Sequence, residues 1–394
     1  MNSFEYHTPT KVIFKENGET EVAKEISVFN PKKVLIHYGG NSAVKSGLID
    51  RVKKYLDAKN INYVLLGGVC PNPLLSKVNE GISLCKKESV DFILAIGGGS
   101  VIDSSKAIAI GLFNRGNVWD FFEGKRKVKG SLPVAAILTI AAAGSEMSKG
   151  CVITKDEGLL KRSCKHTDAA CKFAIMNPLL TLTLPRYQTF SGIVDILMHT
   201  MERYINTDGT QNLDITDEIA EGLMRAVIKN ALILKENPND VQARWNIMWA
   251  GSLSHNGLTG CGTNSGEWAV HKIEHELGGL YDVAHGAGLS AVFTAWALYV
   301  FDKIEDRLEK FAIKVFGVDP QKNSKETAIL GLKKLKEFYR SVDMPTNLNQ
   351  LGVDPSDEEI EELSIKATNF GKRLIGTTIP LDKDDLIKIY TMAK

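Results

Sequence analysis

The chain has 394 residues, enough for two domains that each bury a core of their own. Its composition is ordinary for a globular protein, with 44% hydrophobic and 24% charged residues. A formal net charge of +1 argues against charge-driven binding to nucleic acid or to an acidic membrane surface. No apolar run reaches about 18 residues, so we expect no membrane span, and the N-terminal residues lack the apolar core of a secretory signal.

The six cysteines are scattered along the chain and form no C-x-x-C pair. This usage is typical of free thiols in a reducing compartment, so the sequence predicts a cytoplasmic protein without a disulfide framework. A metal site in such a chain has to be built from histidine and carboxylate side chains.

Short apolar runs alternate with helical stretches in the first half of the chain. The predicted strands span residues 12–14, 33–38, 63–69, 92–96, 133–139, 151–154 and 173–176. Because these runs do not alternate with polar residues, both faces of each strand should be covered. The pattern predicts an α/β dinucleotide-binding domain, a parallel sheet with helices on both faces, whose ligand lies at the carboxyl ends of the strands.

A glycine-rich segment follows the fourth predicted strand. It consists of Gly97, Gly98, Gly99 and Ser100. Glycines let the backbone approach a phosphate, and the N-terminus of the next helix offers free N–H groups. The segment is neither G-x-G-x-x-G nor a P-loop. We therefore predict a phosphate-binding anion site here; the alternative is a tight strand-to-helix turn that binds nothing.

A second candidate anion site follows the second predicted strand. It consists of Gly39, Gly40, Asn41 and Ser42, with Lys45 close behind. A carboxylate at this position would bind the ribose diol of NAD(H), whereas small donor residues and a cation suit a 2′-phosphate. The sequence favours NADP(H) over NAD(H), the alternative being a plain glycine-containing helix cap.

The pattern changes near residue 184, where strand-like runs give way to long stretches with a period of 3.6. Helices are predicted over residues 214–236, 241–258, 268–280, 302–316 and 325–342, with a capping box at Ser356 and Glu359 and a last helix opening at 382–385. We therefore predict two domains, an α/β domain over residues 1–184 and an all-helical domain over residues 185–394.

Candidate metal ligands lie in apolar segments of the second domain. Asp195 and His199 are four residues apart and so share one helical face, as do His271 and His275. His285 lies between small residues, where backbone can approach closely. Each pair alone is more often an ordinary surface or core pair. Together, three imidazoles and one carboxylate form a donor set that suits Fe(II) or Zn(II) better than Ca²⁺ or Mg²⁺.

With these motifs the chain resembles the iron-containing (group III) alcohol dehydrogenase family, along essentially its whole length. The similarity rests on Y-G-G-N-S at 38–42, P-N-P at 71–73, G-G-G-S-V-I-D at 97–103, A-A-A-G-S-E at 141–146, G-I-V-D at 192–195 with His199, His271 with His275, and A-H-G at 284–286. The resemblance implies Asp195, His199, His271 and His285 as ligands of one divalent metal, Fe(II) or Zn(II), and a cofactor site that includes Asn72, Asp103, Thr139, Ser145, Lys161, Thr181 and Leu184.

The implied reaction is hydride transfer between NADP(H), or NAD(H), and a short-chain primary alcohol or aldehyde such as butanol or butanal. The metal would act as a Lewis acid on the substrate oxygen, and His275 would relay a proton, its alternative role being purely structural. The chain departs from the family at Ala143, where threonine is usual, and at Asn177, where aspartate is usual; both positions bear on cofactor binding. We also expect a homodimer, in which the short N-terminal strand pairs with its copy.

Three other readings stay open at this point. A metal-dependent hydrolase or lyase, or a polyol dehydrogenase of the dehydroquinate synthase and glycerol dehydrogenase type, shares the general architecture. A nucleotide-binding protein without catalysis is disfavoured, because nothing in that function calls for an aspartate and three histidines.

Overall fold

The computed structural model describes residues 1–40, 42–206, 213–264, 266–377 and 379–394. These residues form two compact units. One spans His7–Leu184, and the other contains Met1–Tyr6 together with Pro185–Lys394.

The first unit is built on a six-stranded parallel sheet. The strands of this unit in chain order are β1 (Lys11–Phe14), β2 (Val34–Tyr38), β3 (Tyr63–Leu66), β4 (Phe92–Gly97), β5 (Val134–Leu138), β6 (Gly150–Lys155), β7 (Leu160–Lys165) and β8 (Phe173–Met176). Six of them form the parallel sheet, in the spatial order β1-β8-β5-β4-β2-β3. The helices are α1 (Val22–Ser27), α2 (Ser42–Lys45), α3 (Leu48–Asp57), α4 (Leu75–Glu88), α5 (Gly99–Phe113) and α6 (Trp119–Phe122).

Helices cover both faces of this sheet, as the strand pattern predicted. On one face Ile36 of β2 and Leu94 of β4 pack in a cluster with residues of α1 and α3 such as Ile26. The residues between them, such as Leu35 and Ile93, are also fully buried. Strands buried on both faces read as continuous apolar runs, and this explains why they were recognisable without alternation.

The sheet reverses its winding between β2 and β4. From β2 the chain continues outward to β3, then returns to add β4 on the other side of β2. Ligands of open α/β sheets bind at the carboxyl edge beside such a reversal. The glycine-rich segments at 39–42 and 97–100 follow these two strands, so the topology brings both candidate anion sites to one point.

The predicted strand at 151–154 does not belong to the parallel sheet, which corrects its assignment. It forms β6 of an antiparallel hairpin with β7, in which Cys151 lies opposite Cys164. Strand β7 was not predicted because its sequence, L-K-R-S-C-K, has only two apolar residues among polar ones. The six cysteines are all free thiols, in agreement with the prediction.

The second unit is helical in its described residues. Its helices are α7 (Arg186–Tyr204), α8 (Asp214–Glu236), α9 (Val241–His255), α10 (Ala269–Tyr281), α11 (His285–Tyr299), α12 (Phe301–Phe316), α13 (Ser324–Ser341), α14 (Leu348–Leu351), α15 (Asp357–Ala367) and α16 (Lys383–Ala393). The capping box predicted at Ser356 is present, and a second one opens α16 at Asp382. These caps satisfy backbone N–H groups that a helix start leaves without partners.

Across the described ranges, no single helix has the length and hydropathy to cross a bilayer. Helices α11 and α12 meet that criterion only as a pair, which is bent by 118° at the break between them.

Candidate active site

The backbone at the start of α5 is shaped for close approach. A Cβ atom on Gly97 would lie 2.4 Å from Val101, and one on Gly98 would lie 2.2 Å from Ile140. Gly98 also precedes α5 and has no side chain to cap it. The start of α5, which carries the positive end of the helix dipole, is therefore not capped by a side chain, and an uncapped helix start of this kind suits a phosphate.

The second glycine segment lies next to the first. A Cβ on Gly39 would come within 3.5 Å of a Val101 methyl group, whereas one on Gly40 would meet nothing within 4 Å. Ser42 is exposed at the start of α2. Asn41 lies outside the described residues. Among the described residues of the 39–42 segment no side chain is a carboxylate, as the sequence already indicated.

A buried lysine secures the segment that follows β5. The Lys106 ammonium donates to the carbonyl oxygens of Ser145 at 2.6 Å, Ser148 at 2.9 Å and Gly150 at 3.0 Å. Asp103, one turn earlier on α5, accepts from the Ser145 hydroxyl at 2.5 Å and from the Val152 N–H at 2.8 Å. Burial raises the pKa of Asp103, and the Lys106 charge and these donors oppose that shift. The predicted cofactor residues Asp103 and Ser145 are therefore hydrogen-bonded to each other.

Two further predicted cofactor residues are also in contact. Lys161 of β7 donates to the Asn72 side-chain oxygen at 2.9 Å. Asn72 has a positive φ of 51°, and the carbonyl of the next residue, Pro73, accepts from the Thr154 N–H of β6 at 2.9 Å. The unpredicted hairpin β6–β7 thus carries Lys161 to the 70–74 segment.

The remaining predicted cofactor residues lie at the same edge of the sheet or beyond β8. The Thr139 N–H, just after β5, donates to the Gly97 carbonyl at 3.1 Å. Thr181 is buried and its hydroxyl donates to the Pro178 carbonyl at 2.6 Å, while the Leu184 N–H donates to the Thr181 carbonyl at 3.1 Å.

Each departure from the family pattern has a local partner. A Cβ on Gly99 would lie 3.0 Å from the Ala143 methyl group, so a small residue at position 143 suits the tight packing of this turn. The Asn177 amide donates to the buried Glu19 carboxylate at 3.0 Å, and its oxygen accepts from the Leu179 N–H at 3.2 Å. An aspartate at 177 would set two carboxylates against each other.

The four predicted metal ligands converge on one carboxylate oxygen. Oδ1 of Asp195 lies 3.2 Å from Nδ1 of His199, its neighbour on α7. It lies 3.7 Å from Nε2 of His271 on α10 and 3.7 Å from Nε2 of His285 at the start of α11. Ligand atoms of Asp195, His199 and His271 all lie within 4.8 Å of one another.

The atoms at this point of convergence fit a divalent ion. Asp195 Oδ1, His199 Nδ1 and His271 Nε2 are buried and have no hydrogen-bond partner among the described residues. Leaving several buried polar atoms unpaired is costly, unless a ligand accounts for them. A mixed set of imidazole nitrogens and a carboxylate is the chemistry that Zn(II) or Fe(II) prefers. The assignment of these four residues as ligands of one ion stays a prediction.

Two glycines allow α11 to reach this point. A Cβ on Gly286 would lie 1.8 Å from the Ser191 carbonyl oxygen of α7, and one on Gly288 would lie 2.7 Å from Cγ of Glu274. The bare start of α11 therefore packs directly on the α7 backbone. His285 precedes Gly286 and is held at the distance given above.

The imidazoles differ in their readiness to lose a proton. Burial lowers the pKa of His199 well below its usual range, and the neighbouring His255 and His271 add to that shift. Burial alone would also lower the pKa of His271, but the Glu202 and Asp195 carboxylates overcome it and raise the pKa to about 9. Because a metal binds the deprotonated ring nitrogen, burial favours the form of His199 that can be a ligand, whereas His271 would have to release a proton on binding an ion.

Two carboxylates that were not predicted from the sequence pair with the ring nitrogens of His271 and His285 that face away from Asp195. Glu202 of α7 pairs with Nδ1 of His271, and Glu274 of α10 pairs with Nδ1 of His285. The sequence held a signal, since a glutamate lies three residues after His199 and three after His271. That spacing suggests partners on the same helix, whereas both carboxylates in fact serve a histidine other than the one that precedes them.

Other aromatic and basic groups surround His199. The ring centroid of His255, which was not predicted, lies 4.0 Å from that of His199. Arg203 donates to the carbonyls of His199 at 2.7 Å and Ser254 at 2.8 Å, and its guanidinium lies 4.5 Å from the centre of the Trp268 ring. These contacts fix the α7 turn that carries His199.

His275 lies close to the predicted ligands. It is buried, and its ring centroid is 5.8 Å from that of His285. Ligand atoms of Glu274, His275 and His285 also lie within 4.8 Å of one another. His275 therefore lies next to the predicted metal ligands, but it does not belong to the close group formed by Asp195, His199 and His271.

The chain is similar to known proteins along nearly its whole length. A family model for iron-containing alcohol dehydrogenases matches residues 9–178, and one for the C-terminal part of the Fe-containing alcohol dehydrogenase family matches residues 189–394. NADH-dependent butanol dehydrogenase A of Clostridium acetobutylicum is 37% identical over 393 residues, 99% of each chain. The NADPH-dependent aldehyde reductase YqhD of Escherichia coli is 31% identical over all of both chains. The crystal structure of NADH-dependent butanol dehydrogenase A from Thermotoga maritima superposes with a TM-score of 0.95 at 37% identity, covering 100% of this chain and 99% of that one.

Proposed function

Because this chain belongs to the iron-containing alcohol dehydrogenase family of NAD(P)-dependent oxidoreductases, we propose that it interconverts short-chain primary alcohols and aldehydes, such as butanol and butanal. We include in the proposal one divalent ion, Fe(II) or Zn(II), at Asp195, His199, His271 and His285. The convergence of three imidazole nitrogens on Asp195 Oδ1, at 3.2 and 3.7 Å, is the observation that carries it. Relatives named as butanol dehydrogenases and as an aldehyde reductase support the substrate class.

The site residues divide the chemistry between them. When bound, the ion would supply Lewis-acid polarisation of the substrate oxygen, so no strong general base is needed. The three imidazoles and Asp195 would hold the ion at a buried point, where water is excluded and the electrostatic attraction between ion and substrate oxygen is stronger. A nicotinamide supplies or accepts the hydride, and the glycine segments at 39–42 and 97–100 would anchor its phosphates.

We assign a proton relay to His275. It is buried one helical turn from His271, and its ring is near that of His285. An imidazole near the substrate oxygen can take the proton that alcohol oxidation releases, and its protonated form can give up the proton that aldehyde reduction consumes. Relaying protons also suits a residue that is not itself among the proposed ligands.

We propose NADP(H) as the preferred cofactor over NAD(H). A carboxylate after β2 would repel a 2′-phosphate, and the described residues Gly39, Gly40 and Ser42 carry none. Lys45, at the end of α2, adds a cation nearby. Relatives use either cofactor by name, so a substitution is the sharper test. Ser42→Asp should raise the KM for NADPH and lower that for NADH, and unchanged values for both would contradict the assignment.

We also propose a homodimer in the cytoplasm. Strand β1 lies at the outer edge of the six-stranded sheet, where another strand can be added. Phe4 and Tyr6 in the preceding segment are 54% and 40% exposed, and a second copy would cover them. Light scattering after size exclusion tests the dimer, and a monomeric mass at micromolar concentration would refute it. The free thiols support a reducing compartment.

The decisive assay follows NADPH oxidation against a panel of aldehydes. Metal-stripped protein is reloaded with Fe(II) under anaerobic conditions, or with Zn(II), and compared with stripped protein. Activity should require the ion and favour short primary aldehydes. His199→Ala should abolish it, whereas His166→Ala, on a histidine outside the metal set, should leave it unchanged. Full activity of stripped protein would end the proposal.

A further inference from the structure

Two of the proposed ligands share one arrangement. His271 and His285 each direct Nε2 to within 3.7 Å of Asp195 Oδ1, and each pairs its Nδ1 with a buried glutamate. The glutamates are Glu202 and Glu274, and both side chains are fully buried. A carboxylate on Nδ1 holds the proton there and leaves the Nε2 lone pair for an ion.

Glu202 is itself held in place. Its Oε1 accepts from the Val270 N–H at 2.9 Å, while its Oε2 pairs with His271. Val270 lies in the first turn of α10, where N–H groups lack intrahelical partners and the helix dipole favours an anion. The same carboxylate thus joins α7 to the start of α10 and fixes the ring of the histidine in that turn.

Glu274 is held by packing. Its Cγ would lie 2.7 Å from a Cβ on Gly288, so the absence of a side chain at 288 gives the glutamate its place between α10 and α11. From there it reaches Nδ1 of His285, the first residue of α11. His285 is partly exposed, with 27% of its side chain accessible. It therefore depends on this contact for its orientation more than the buried His271 does.

We infer that Glu202 and Glu274 are positioning residues, which set the tautomer and the direction of His271 and His285 for metal binding. The inference rests on the proposed function, since it concerns the same ion. His199 is held differently, because the Arg203 guanidinium donates a hydrogen bond to its backbone carbonyl.

Glu274 could instead bind an ion itself, because its carboxylate, His275 and His285 form a second group of close ligand atoms. The two roles predict different stoichiometries. A positioning residue changes how tightly one ion is bound, whereas a ligand of a second ion changes how many are bound.

The test uses Co(II) binding to the full-length protein without substrate or cofactor. Glu202→Gln and Glu274→Gln keep the size and an acceptor oxygen but remove the charge. Glu221→Gln is the matched control, a buried carboxylate on α8 that binds the Tyr204 hydroxyl at 2.8 Å. Affinity is measured by competition with a chromophoric chelator, geometry by the visible Co(II) absorption, and stoichiometry by elemental analysis. Thermal unfolding of the metal-free proteins monitors folding.

Each active-site variant should bind one Co(II) about 10- to 100-fold more weakly than wild type, with a changed absorption spectrum. The control should match wild type in both, because a merely structural role would alter the melting temperature and not the spectrum. If a glutamine variant does not fold, Glu202→Asp and Glu274→Asp keep the charge but shorten its reach, and the same weakening is expected.

Wild-type affinity and spectrum in folded variants at both positions would overturn the inference. Two ions per wild-type chain, reduced to one by Glu274→Gln, would overturn it for Glu274. Wild-type protein that binds no divalent ion would overturn both this inference and the proposed function. Wild-type protein that binds one ion but reduces no aldehyde would overturn the proposed function alone.

Discussion

Replacing Gly286 with alanine should disturb the proposed metal site through backbone packing alone. The new Cβ would lie 1.8 Å from the Ser191 carbonyl oxygen and 2.7 Å from its carbonyl carbon. Both atoms belong to the α7 backbone, so no change of rotamer relieves the overlap. Real Cβ contacts stay beyond 3.0 Å, so α11 must move away from α7 by at least 1.2 Å, the difference between 3.0 and 1.8 Å.

That displacement acts on His285, the preceding residue. Overpacking of this kind costs about 1–3 kcal/mol of stability, and a shift near 1 Å at a reacting centre costs up to about 100-fold in rate. Gly286→Ala should therefore lower the melting temperature by several degrees, weaken Co(II) binding at least about tenfold and reduce kcat about 100-fold.

The matched control is Gly222→Ala, in the middle of α8. There the nearest atom to a new Cβ is a terminal nitrogen of Arg225 at 3.8 Å. Alanine in an open helical position should add roughly 0.5–1 kcal/mol of stability and leave metal binding unchanged. Differential scanning calorimetry and chelator competition report both quantities. If Gly286→Ala bound Co(II) and turned over like wild type, the close approach of α7 and α11 described above would be refuted.

Three other predictions concern buried polar groups. Burial lowers the pKa of His37 from 6.5 to about 4. Because the pKa is lower in the folded state than in the unfolded state, the free energy of unfolding is unaffected by this group above pH 6.5. It falls as the pH drops from 6.5 towards 4, by about 3 kcal/mol in total. Urea unfolding of His37→Gln should show a smaller loss between pH 7 and 5 than wild type, and parallel curves would contradict this. Lys106→Met should cost about 2 kcal/mol or more, because it removes a buried donor that three carbonyls share. It should also weaken NADPH binding in a fluorescence titration, and unchanged melting temperature and affinity would argue against it. His275→Ala should lower kcat and flatten its pH profile at unchanged metal content, and an unaltered profile would exclude the relay.

The sequence was most informative where local rules and packing agree. Helix α8 spans Asp214–Glu236 as predicted, because an acidic first turn and a regular apolar stripe mark it. Helix α11 was not predicted as a helix, since His285 and two glycines open it and most of its length is apolar on every side. Its start is set by the α7 backbone, a contact that sequence spacing does not encode.

The candidate site likewise contains residues that the sequence indicated and residues that it did not. Residue type and spacing indicated Asp195 and His199 as one pair, and the structure brings His271 and His285 to the same oxygen. The roles of Glu202 and Glu274 could not be predicted, because each pairs with a histidine on another helix. Hairpin β6–β7 was half missed for a related reason, since β7 is polar and is held by its partner strand.

The pairing of Gly288 with Glu274 limits how this protein can evolve. Any side chain at 288 would collide with the glutamate, and a shorter residue at 274 would leave His285 without its carboxylate. Shortening residue 274 would make room for a side chain at 288, but it would also remove the carboxylate that pairs with His285. Substituting both positions therefore does not restore the site, and we expect a library selected for metal binding to retain Gly288 and Glu274 together.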